Sequence, residues 1–466
     1  MQPFASNTPK NPLNLSEIRV RVASFLDRKD CLSCMRVSQD WLHDFAPSVW
    51  HTIDFYKVNT SFLKISPEVL DKYGRFISKI LNLSAIEHFQ ALQHFKVDSV
   101  RSMTILLPNN WIYREMLSDL LLRCRGFIYS LDIRSSPPSP DTLEEQRRWA
   151  VHYMHVNDLF ANVPRSTDGI STANKGGCLT TLKLTRICVT REAFSSLLQY
   201  SPLLNELSLE RVMVLFHKPG IPLYTGSMLR HLSADFAQVW SNDTLDPSAP
   251  CLLLHFPLLE RWHMTSLTQP SYRTVDLNIL DFSSWCPLLK AVTYGSNNTE
   301  TLSALLLNAF KDLKSCSLSA KNLAMSTALG LISHLDSLTS LTVTDAILNA
   351  ASMQWLFLIL RLCRNLQILS IESIVCDLKT VEKSRWGCKG LRELRVRFKD
   401  LDTPQDIDGC FKQLCELRRF GNGPSLKWPN EMNSISTRVA HQLAQLKELR
   451  AVWLGTKDYY LPPLSA

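Results

Sequence analysis

The chain has 466 residues, 45% of them hydrophobic and 20% charged, a balance typical of a folded protein and not of a disordered one. This length exceeds that of one ordinary domain, so we expect several domains or a repeat array. The net charge is +8, and the basic residues form no long run, only pairs such as Arg147-Arg148 and Arg418-Arg419. That distribution disfavours nucleic acid as the main partner.

Two further features concern the compartment in which the chain works. The N-terminal segment 1–12 lacks an apolar signal core, and the densest apolar stretch, Trp355 to Leu360, stops at Arg361. Thirteen cysteines, an odd number scattered along the chain, fit reduced and mostly buried thiols rather than a disulfide framework. We therefore expect no membrane span and a cytoplasmic or nuclear location.

Residues 11–55 predict three short helices. The first is indicated by one apolar stripe at three- and four-residue spacing, formed by Ile18, Val22, Phe25 and Leu26. Asn14 is its candidate N-cap, Asp27 and Ser38 begin the second and third helices, and Pro47 is expected to end the third. Three helices of this size lie near the lower limit for independent folding, so their apolar surface predicts a docking element that a partner or a neighbouring domain covers.

The motifs of this segment resemble, in order and spacing, those of an F-box. They read Leu15-Ser16-Glu17-Ile18, Phe25-Leu26-Asp27, Val37-Ser38-Gln39-Asp40-Trp41 and Val49-Trp50, with Ser16 in place of the usual proline and Val49 in place of the usual leucine. The resemblance implies that the helices bind a small Skp-family adaptor, which links the chain to the cullin and RING subunits of an SCF ubiquitin ligase. The residues that it implies for adaptor binding are Leu15, Ile18, Val22, Phe25, Leu26, Leu32, Val37, Trp41 and Trp50. In the alternative interpretation, the helices only cap a repeat array.

A leucine pattern recurs along the rest of the chain. The pattern L-x-x-L-x-L, loosened to other apolar residues, begins at Leu179, Leu204, Leu229, Leu259, Leu289, Leu313, Leu338, Leu366, Leu391, Leu417 and Leu449. The steps between these leucines are 24 to 32 residues, which fits the period of leucine-rich repeats with some longer members. Each pattern predicts a short strand, and helical spacing predicts helices over 324–334, 353–363 and 437–446.

The predicted fold class is therefore α/β: an irregular leucine-rich-repeat solenoid with a parallel sheet on its concave face and helices on its convex face. Less regular strands are predicted at 80–83, 92–97 and 128–133. The expected organisation is a flexible N-terminus at 1–10, the F-box-like module at 11–55, the solenoid at 56–455 with a loop-rich insertion at 134–178, and a C-terminal tail at 456–466.

No motif in the sequence points to catalysis, a cofactor or a metal. The chain has 15 glycines and lacks both G-x-G-x-x-G and G-x-x-x-x-G-K-[ST]. His152 and His155 have no third ligand nearby, and Cys31 and Cys34 have no second Cys/His pair at zinc-site spacing. We therefore predict a protein that is not an enzyme and needs neither cofactor nor metal.

Residues that alternate with the buried strand positions are expected on the concave face. The candidate contacts to a protein target are Arg261, His263, Glu372, Arg395, Arg397, Arg419 and Trp453. Arg395, Arg397 and Arg419 could meet an acidic patch or a phosphorylated segment. With the F-box resemblance, this implies the substrate-recognition subunit of an SCF-type E3 ubiquitin ligase. A ligase-independent repeat scaffold or regulator is the alternative, and nucleic-acid binding is a third.

Overall fold

The computed structural model describes most of the repeats and the three N-terminal helices. The described residues are 12–56, 65–93, 97–107, 114–124, 126–135, 177–190, 201–210, 212–215, 228–234, 256–264, 286–294, 312–319, 325–344, 350–377, 386–399, 403–420, 435–454 and 458–461, with a few isolated positions between them. The chain divides into two compact units, Met1–Met228 and Leu229–Ala466. Within the described part, no helix is both long enough and apolar enough to cross a membrane.

The first unit opens with the three helices that the sequence predicts. They are α1 (Ser16–Ala23), α2 (Arg28–Cys34) and α3 (Gln39–Trp50). The start signals of the last two are confirmed, since the Asp27 carboxylate accepts from the Asp30 N–H at 2.8 Å and the Ser38 hydroxyl accepts from the Trp41 N–H at 3.3 Å.

Two details of these helices were predicted wrongly. Asn14 does not cap α1, because it lies in a preceding 3₁₀ turn, Pro12–Asn14, and Leu15 takes the N-cap position without a side-chain cap bond. Pro47 does not end α3 but lies inside it. The carbonyl of Pro47 accepts from the His51 N–H at 2.8 Å, so the helix continues for one more turn after the proline.

The remainder of the first unit is a parallel sheet with helices between its early strands. Its elements are β1 (Thr52–Asp54), α4 (Pro67–Tyr73), β2 (Lys79–Leu83), α5 (Ile86–Gln93), β3 (Ser102–Leu107), α6 (Arg114–Cys124), β4 (Ser130–Ser135), β5 (Thr181–Thr185), β6 (Cys188–Thr190), β7 (Glu206–Glu210) and β8 (Met213–Leu215). The strands pair in the order β1-β2-β3-β4-β5-β7, all parallel, while β6 and β8 form a separate parallel pair.

The register of this sheet places one residue of each strand in a common buried row. That row is Ile53, Ile80, Met103, Leu131, Leu182 and Leu207. The predicted strand at 92–97 is wrong, because Phe89 and Leu92 are buried at the three-residue spacing of α5 and the strand begins at Ser102. Of the predicted insertion at 134–178, residues 136–176 lie outside the described residues.

The second unit repeats the same plan. Its elements are β9 (His231–Ala234), β10 (Arg261–Met264), β11 (Ala291–Tyr294), β12 (Ser315–Ser319), α7 (Met325–Ile332), β13 (Ser340–Thr344), α8 (Ala350–Leu362), β14 (Ile368–Cys376), β15 (Glu393–Phe398), α9 (Pro404–Phe420), α10 (Ile435–Ala444), β16 (Ala451–Trp453) and β17 (Asp458–Tyr460). Strands β9 to β16 pair in chain order and in parallel, and β17 adds to β16 antiparallel.

The leucine pattern predicts the strands of both units well. In ten of its eleven instances, a strand begins two residues after the first leucine. The exception is Leu417, which lies in α9. It is buried there with Ile407, Cys410 and Leu414 at three- and four-residue spacing, so it belongs to the inward stripe of a helix. Each unit is thus a mixed α/β array of leucine-rich-repeat type, with most of its strands parallel.

Several polar side chains are buried in the second unit, and His334 is one of them. His334 is 3% exposed and lies after α7. Its Nε2 lies 2.8 Å from the carbonyl oxygen of Leu307, and its Nδ1 accepts from the Leu313 N–H at 3.4 Å. A carbonyl cannot donate, so Nε2 carries the proton, and the imidazole ties two backbone groups of the preceding repeat to α7.

Candidate protein-interaction surfaces

The helix α1 turns its apolar stripe outward. Its buried residues are Arg19 and Ala23, whereas Leu15 and Ile18 are exposed and Val22 is only partly covered. An amphipathic helix normally buries its apolar stripe, and here the inward face carries an arginine instead.

A polar cluster between α1 and α3 explains this orientation. The Asp44 carboxylate on α3 accepts from Arg19 Nε at 2.5 Å and from the Ser16 hydroxyl at 2.7 Å. The Arg19 guanidinium also donates to the Leu13 carbonyl at 2.9 Å. With 7% of the Arg19 side chain and 14% of the Asp44 side chain exposed, this is a largely buried ion pair, and each partner makes one further hydrogen bond. It holds α1 in place while the apolar stripe stays free.

We use the term module surface for five exposed apolar residues in and next to the first two helices. Its members are Leu15, Ile18, Phe25, Leu32 and Val37, all more than a third exposed. Phe25 is the most open, at 75%, with the Arg21 guanidinium 5.2 Å from its ring centroid. Of the other predicted adaptor contacts, Val22, Leu26 and Trp41 are half-buried, and Trp41 stacks on Phe45 with 5.3 Å between ring centroids. Exposed apolar groups on a small module indicate an interaction site.

Trp50 corrects the prediction for this surface. It is 8% exposed and stacks on Tyr73 of α4 at 5.4 Å, so its ring packs inside the first unit and is not available to an adaptor. Phe45, Ala46 and Val49 of α3 are buried as well. The third helix therefore covers the start of the repeat array, and the first two helices carry the open surface.

The second surface is the open face of β14 to β17 in the second unit. Leu394, Val396 and Phe398 of β15 are buried, and the residues between them point to the open face. In register across the sheet, Ser370 of β14 lies beside Arg395, Arg395 beside Trp453, and Trp453 beside Asp458. A parallel row runs through Ile368, Glu393, Ala451 and Tyr460. Arg397 pairs with Val375 one step along the strand.

Charge on this face is partly matched within the chain. Arg395 Nη2 lies 3.1 Å from Asp458 Oδ1, with 41% and 42% of the two side chains exposed. Arg397 and Glu393 are exposed, and Trp453 is half-buried. Exposed ion pairs contribute about 0.2–1 kcal/mol, so another carboxylate can replace Asp458 at little cost.

The other candidate target contacts are distributed unevenly. Arg261 and His263 lie on β10, five strands from β15 on the same sheet face, and both side chains reach solvent. Partial burial of the His263 imidazole still lowers its pKa. The side chain of Glu372 lies outside the described residues. Arg419 was predicted on a strand, and this is wrong, because it lies in the last turn of α9.

Two parts of these surfaces escaped the sequence-based prediction. Asp458 and Tyr460 were assigned to a C-terminal tail, although the alternation of an exposed, a buried and an exposed residue in β17 is a strand signal. Arg19 and Asp44 were not predicted as a pair, since nothing in a helical periodicity reports a contact between helices. In the described part of the chain, no cluster of three or more His, Cys, Asp or Glu residues is arranged to hold a metal ion.

Similarity to known proteins is found among solved structures only. No family model matches the chain, and no curated protein sequence matches it. Among solved structures, 57 chains match. One of them is in the mouse RP105/MD-1 complex, with 12% sequence identity and a TM-score of 0.27, over 70% of this chain and 38% of that one. This chain thus corresponds to well under half of that protein.

Proposed function

We propose that the chain is the substrate-recognition subunit of an SCF-type E3 ubiquitin ligase. In this role, α1 and α2 bind a Skp-family adaptor, and the repeats hold a protein target for ubiquitination. Catalysis is proximity supplied by the cullin and RING subunits, and no side chain of this chain acts as acid, base or nucleophile.

The module surface is the observation that carries this proposal. Leu15, Ile18 and Phe25 stay exposed although α1 is anchored by Arg19 and Asp44, so the apolar stripe is not needed to hold the module together. A pure cap would place its apolar side chains against the array, as α3 does with Val49 and Trp50. The order of the motifs that resemble an F-box supports a Skp-family adaptor as the partner.

The open faces of the repeats support the second half of the proposal. Leucine-rich-repeat arrays of this type suit protein binding, because alternate residues of neighbouring strands form one continuous surface. In the second unit that surface includes Arg395, Trp453 and Tyr460, and Trp, Tyr and Arg are the residue types enriched at interface hot spots.

The test is a binding measurement between the intact chain and a purified Skp-family adaptor. The variant Phe25→Ser with Val37→Ser removes two exposed side chains, so the fold should be unaffected and affinity should fall about 100-fold, as for a pair of hot-spot residues. Val20→Ser is the matched control: Val20 is exposed on α1 but lies about 200° around the helix from Ile18. We expect its affinity to change by less than about twofold.

Either of two results would overturn the proposal. One is an intact, folded chain that binds no Skp-family adaptor. The other is adaptor binding that the double variant leaves unchanged. In both cases, the ligase-independent scaffold would become the better explanation of the repeats.

A further inference from the structure

We propose that the open face of β14 to β17 binds a short acidic segment of the target that carries an apolar or aromatic anchor residue. This inference rests on the proposed role of the repeats in protein binding and adds the chemical class of the bound segment. We term the surface formed by Arg395, Arg397, Trp453, Asp458 and Tyr460 the terminal face.

The first argument is charge complementarity. Arg395 and Arg397 occupy alternate positions of β15, so both guanidinium groups lie on the open side, and exposed Lys399 follows at the strand end. Asp458 already places a carboxylate on Arg395 at 3.1 Å and so shows the kind of group that this position accepts. Glu393 lies in the other row, beside Ala451 and away from Arg397 in register. The cationic side of the face therefore suits added carboxylates.

The second argument is the apolar content of the same surface. Tyr460 is 77% exposed, Val375 is 47% exposed and Ile368 is 37% exposed, and Trp453 is half-buried on the same face between Arg395 and Asp458. Large apolar side chains next to arginines match the composition of interface hot spots. A segment that is only acidic would leave these groups in water, so the bound segment should carry an anchor residue as well.

The third argument is that the terminal face is held rigid from behind. Tyr459, between Asp458 and Tyr460, points into the unit, where its hydroxyl donates to the Asp408 carboxylate at 2.7 Å. Its ring lies 4.5 Å from that of Phe411 on α9. Leu461 N–H donates to the Arg450 carbonyl at 2.7 Å and closes the hairpin. A preformed surface loses little conformational freedom on binding.

The dimensions limit the length of the bound segment. Three steps of about 4.8 Å separate β14 from β17, a span of about 14 Å. An extended peptide rises about 3.3 Å per residue, so about five residues cross the face. The recognised element is therefore a short linear segment and not a whole domain surface.

The experiment is selection of random peptides of about eight residues against the intact chain, followed by affinity measurement with one synthetic winner. We expect winners to combine Asp or Glu with an aromatic or large aliphatic residue. Arg395→Ser with Arg397→Ser should lower the affinity for the synthetic peptide at least about tenfold. Arg361→Ser with Arg364→Ser, two exposed arginines at the end of α8 and outside the terminal face, should change the peptide affinity less than about twofold.

Asp458→Asn gives the sharpest test, because it removes the internal competitor for Arg395. We expect the acidic peptide to bind about threefold more tightly, whereas a purely structural role of Asp458 predicts weaker binding or none. Winners without acidic residues would overturn the inference. So would winners indifferent to Arg395 and Arg397, or tighter binding of single-stranded nucleic acid through the same arginines. Adaptor binding is measured at the module surface, and peptide binding at the terminal face. A failure of this inference therefore leaves adaptor binding intact, whereas a failure of the proposed function shows as absent adaptor binding.

Discussion

The carboxylate of Asp44 is the tie between α1 and α3, so its removal should release the first helix. In Asp44→Ala, the Arg19 guanidinium keeps its charge, with only 7% of its side chain exposed, and loses the acceptor at 2.5 Å. Removal of one partner of a buried ion pair costs about 3–5 kcal/mol. Because 14% of the Asp44 side chain is exposed and Arg19 keeps its bond to the Leu13 carbonyl, we expect about 3 kcal/mol, the lower end.

Hydrogen exchange of the intact chain measures this loss of stability at the amides of α1. A loss of about 3 kcal/mol corresponds to roughly 100-fold faster exchange of the α1 amides, since about 1.4 kcal/mol is a factor of ten. Amides of β13 in the second unit serve as the internal reference and should not change. Asp40→Ala, an exposed acid on the same helix as Asp44, is the matched control and should alter exchange of α1 less than about threefold.

Replacing both partners by apolar residues tests whether the effect of Asp44→Ala comes from the unpaired charge or from lost packing. Arg19→Met with Asp44→Leu removes the buried charges together, and such exchanges are often neutral or stabilising. We therefore expect exchange of α1 to return close to that of the parent chain. One result would refute the assignment of Asp44 as the anchor of α1. In it, the exchange rate of the α1 amides changes less than threefold in Asp44→Ala while the β13 reference stays unchanged.

Three further outcomes follow from the second unit and the thiols. His334→Ala orphans a buried carbonyl and a buried N–H, so the thermal unfolding midpoint should fall by an amount equivalent to about 2–4 kcal/mol; an unchanged midpoint would contradict the tie. Leu341→Ala in β13 should cost about 2–5 kcal/mol in denaturant unfolding, whereas Ser340→Ala beside it on the open face should cost less than about 0.5 kcal/mol. Burial raises the pKa of the Cys388 thiol to about 11, so at pH 8 iodoacetamide should label half-exposed Cys34 before buried Cys388, as mass spectrometry can check. Between about pH 9 and about pH 11, Cys388 ionises in the unfolded chain but not in the folded one, so the free energy of unfolding falls as the pH rises.

The repeated strands could be predicted from the sequence because the leucine pattern reports burial directly. A leucine two residues before each strand and alternate apolar residues within it leave one face of a sheet covered, whatever the loops do. The same pattern failed at Leu417, where the short motif around it also fits a helix of three- and four-residue spacing. A motif of six residues cannot separate the two periods, and the long stripe from Ile407 decides the case.

The N-terminal helices show a different limit. Their existence and two of their caps were predictable, since capping and periodicity are local. The orientation of α1 was not, because it depends on an ion pair between residues 25 positions apart, Arg19 and Asp44. The prediction that the residues from Leu15 to Phe25 form a docking surface stays a prediction, and what the structure adds is that the stripe containing Ile18 is open.

The two surfaces differ in chemistry in a way that suits two separate tasks. In the proposed role, adaptor binding needs a stable contact that does not depend on the charge of the target, and the module surface offers leucine, isoleucine, valine and phenylalanine. A target must be distinguished from other proteins, and charged groups supply that discrimination more than they supply affinity. Arg395 and Arg397 select for acidic segments, and Trp453 beside Arg395 offers a contact for an anchor residue. Raised salt should therefore weaken peptide binding at the terminal face while adaptor binding persists, because screening acts on exposed charges and leaves apolar burial intact.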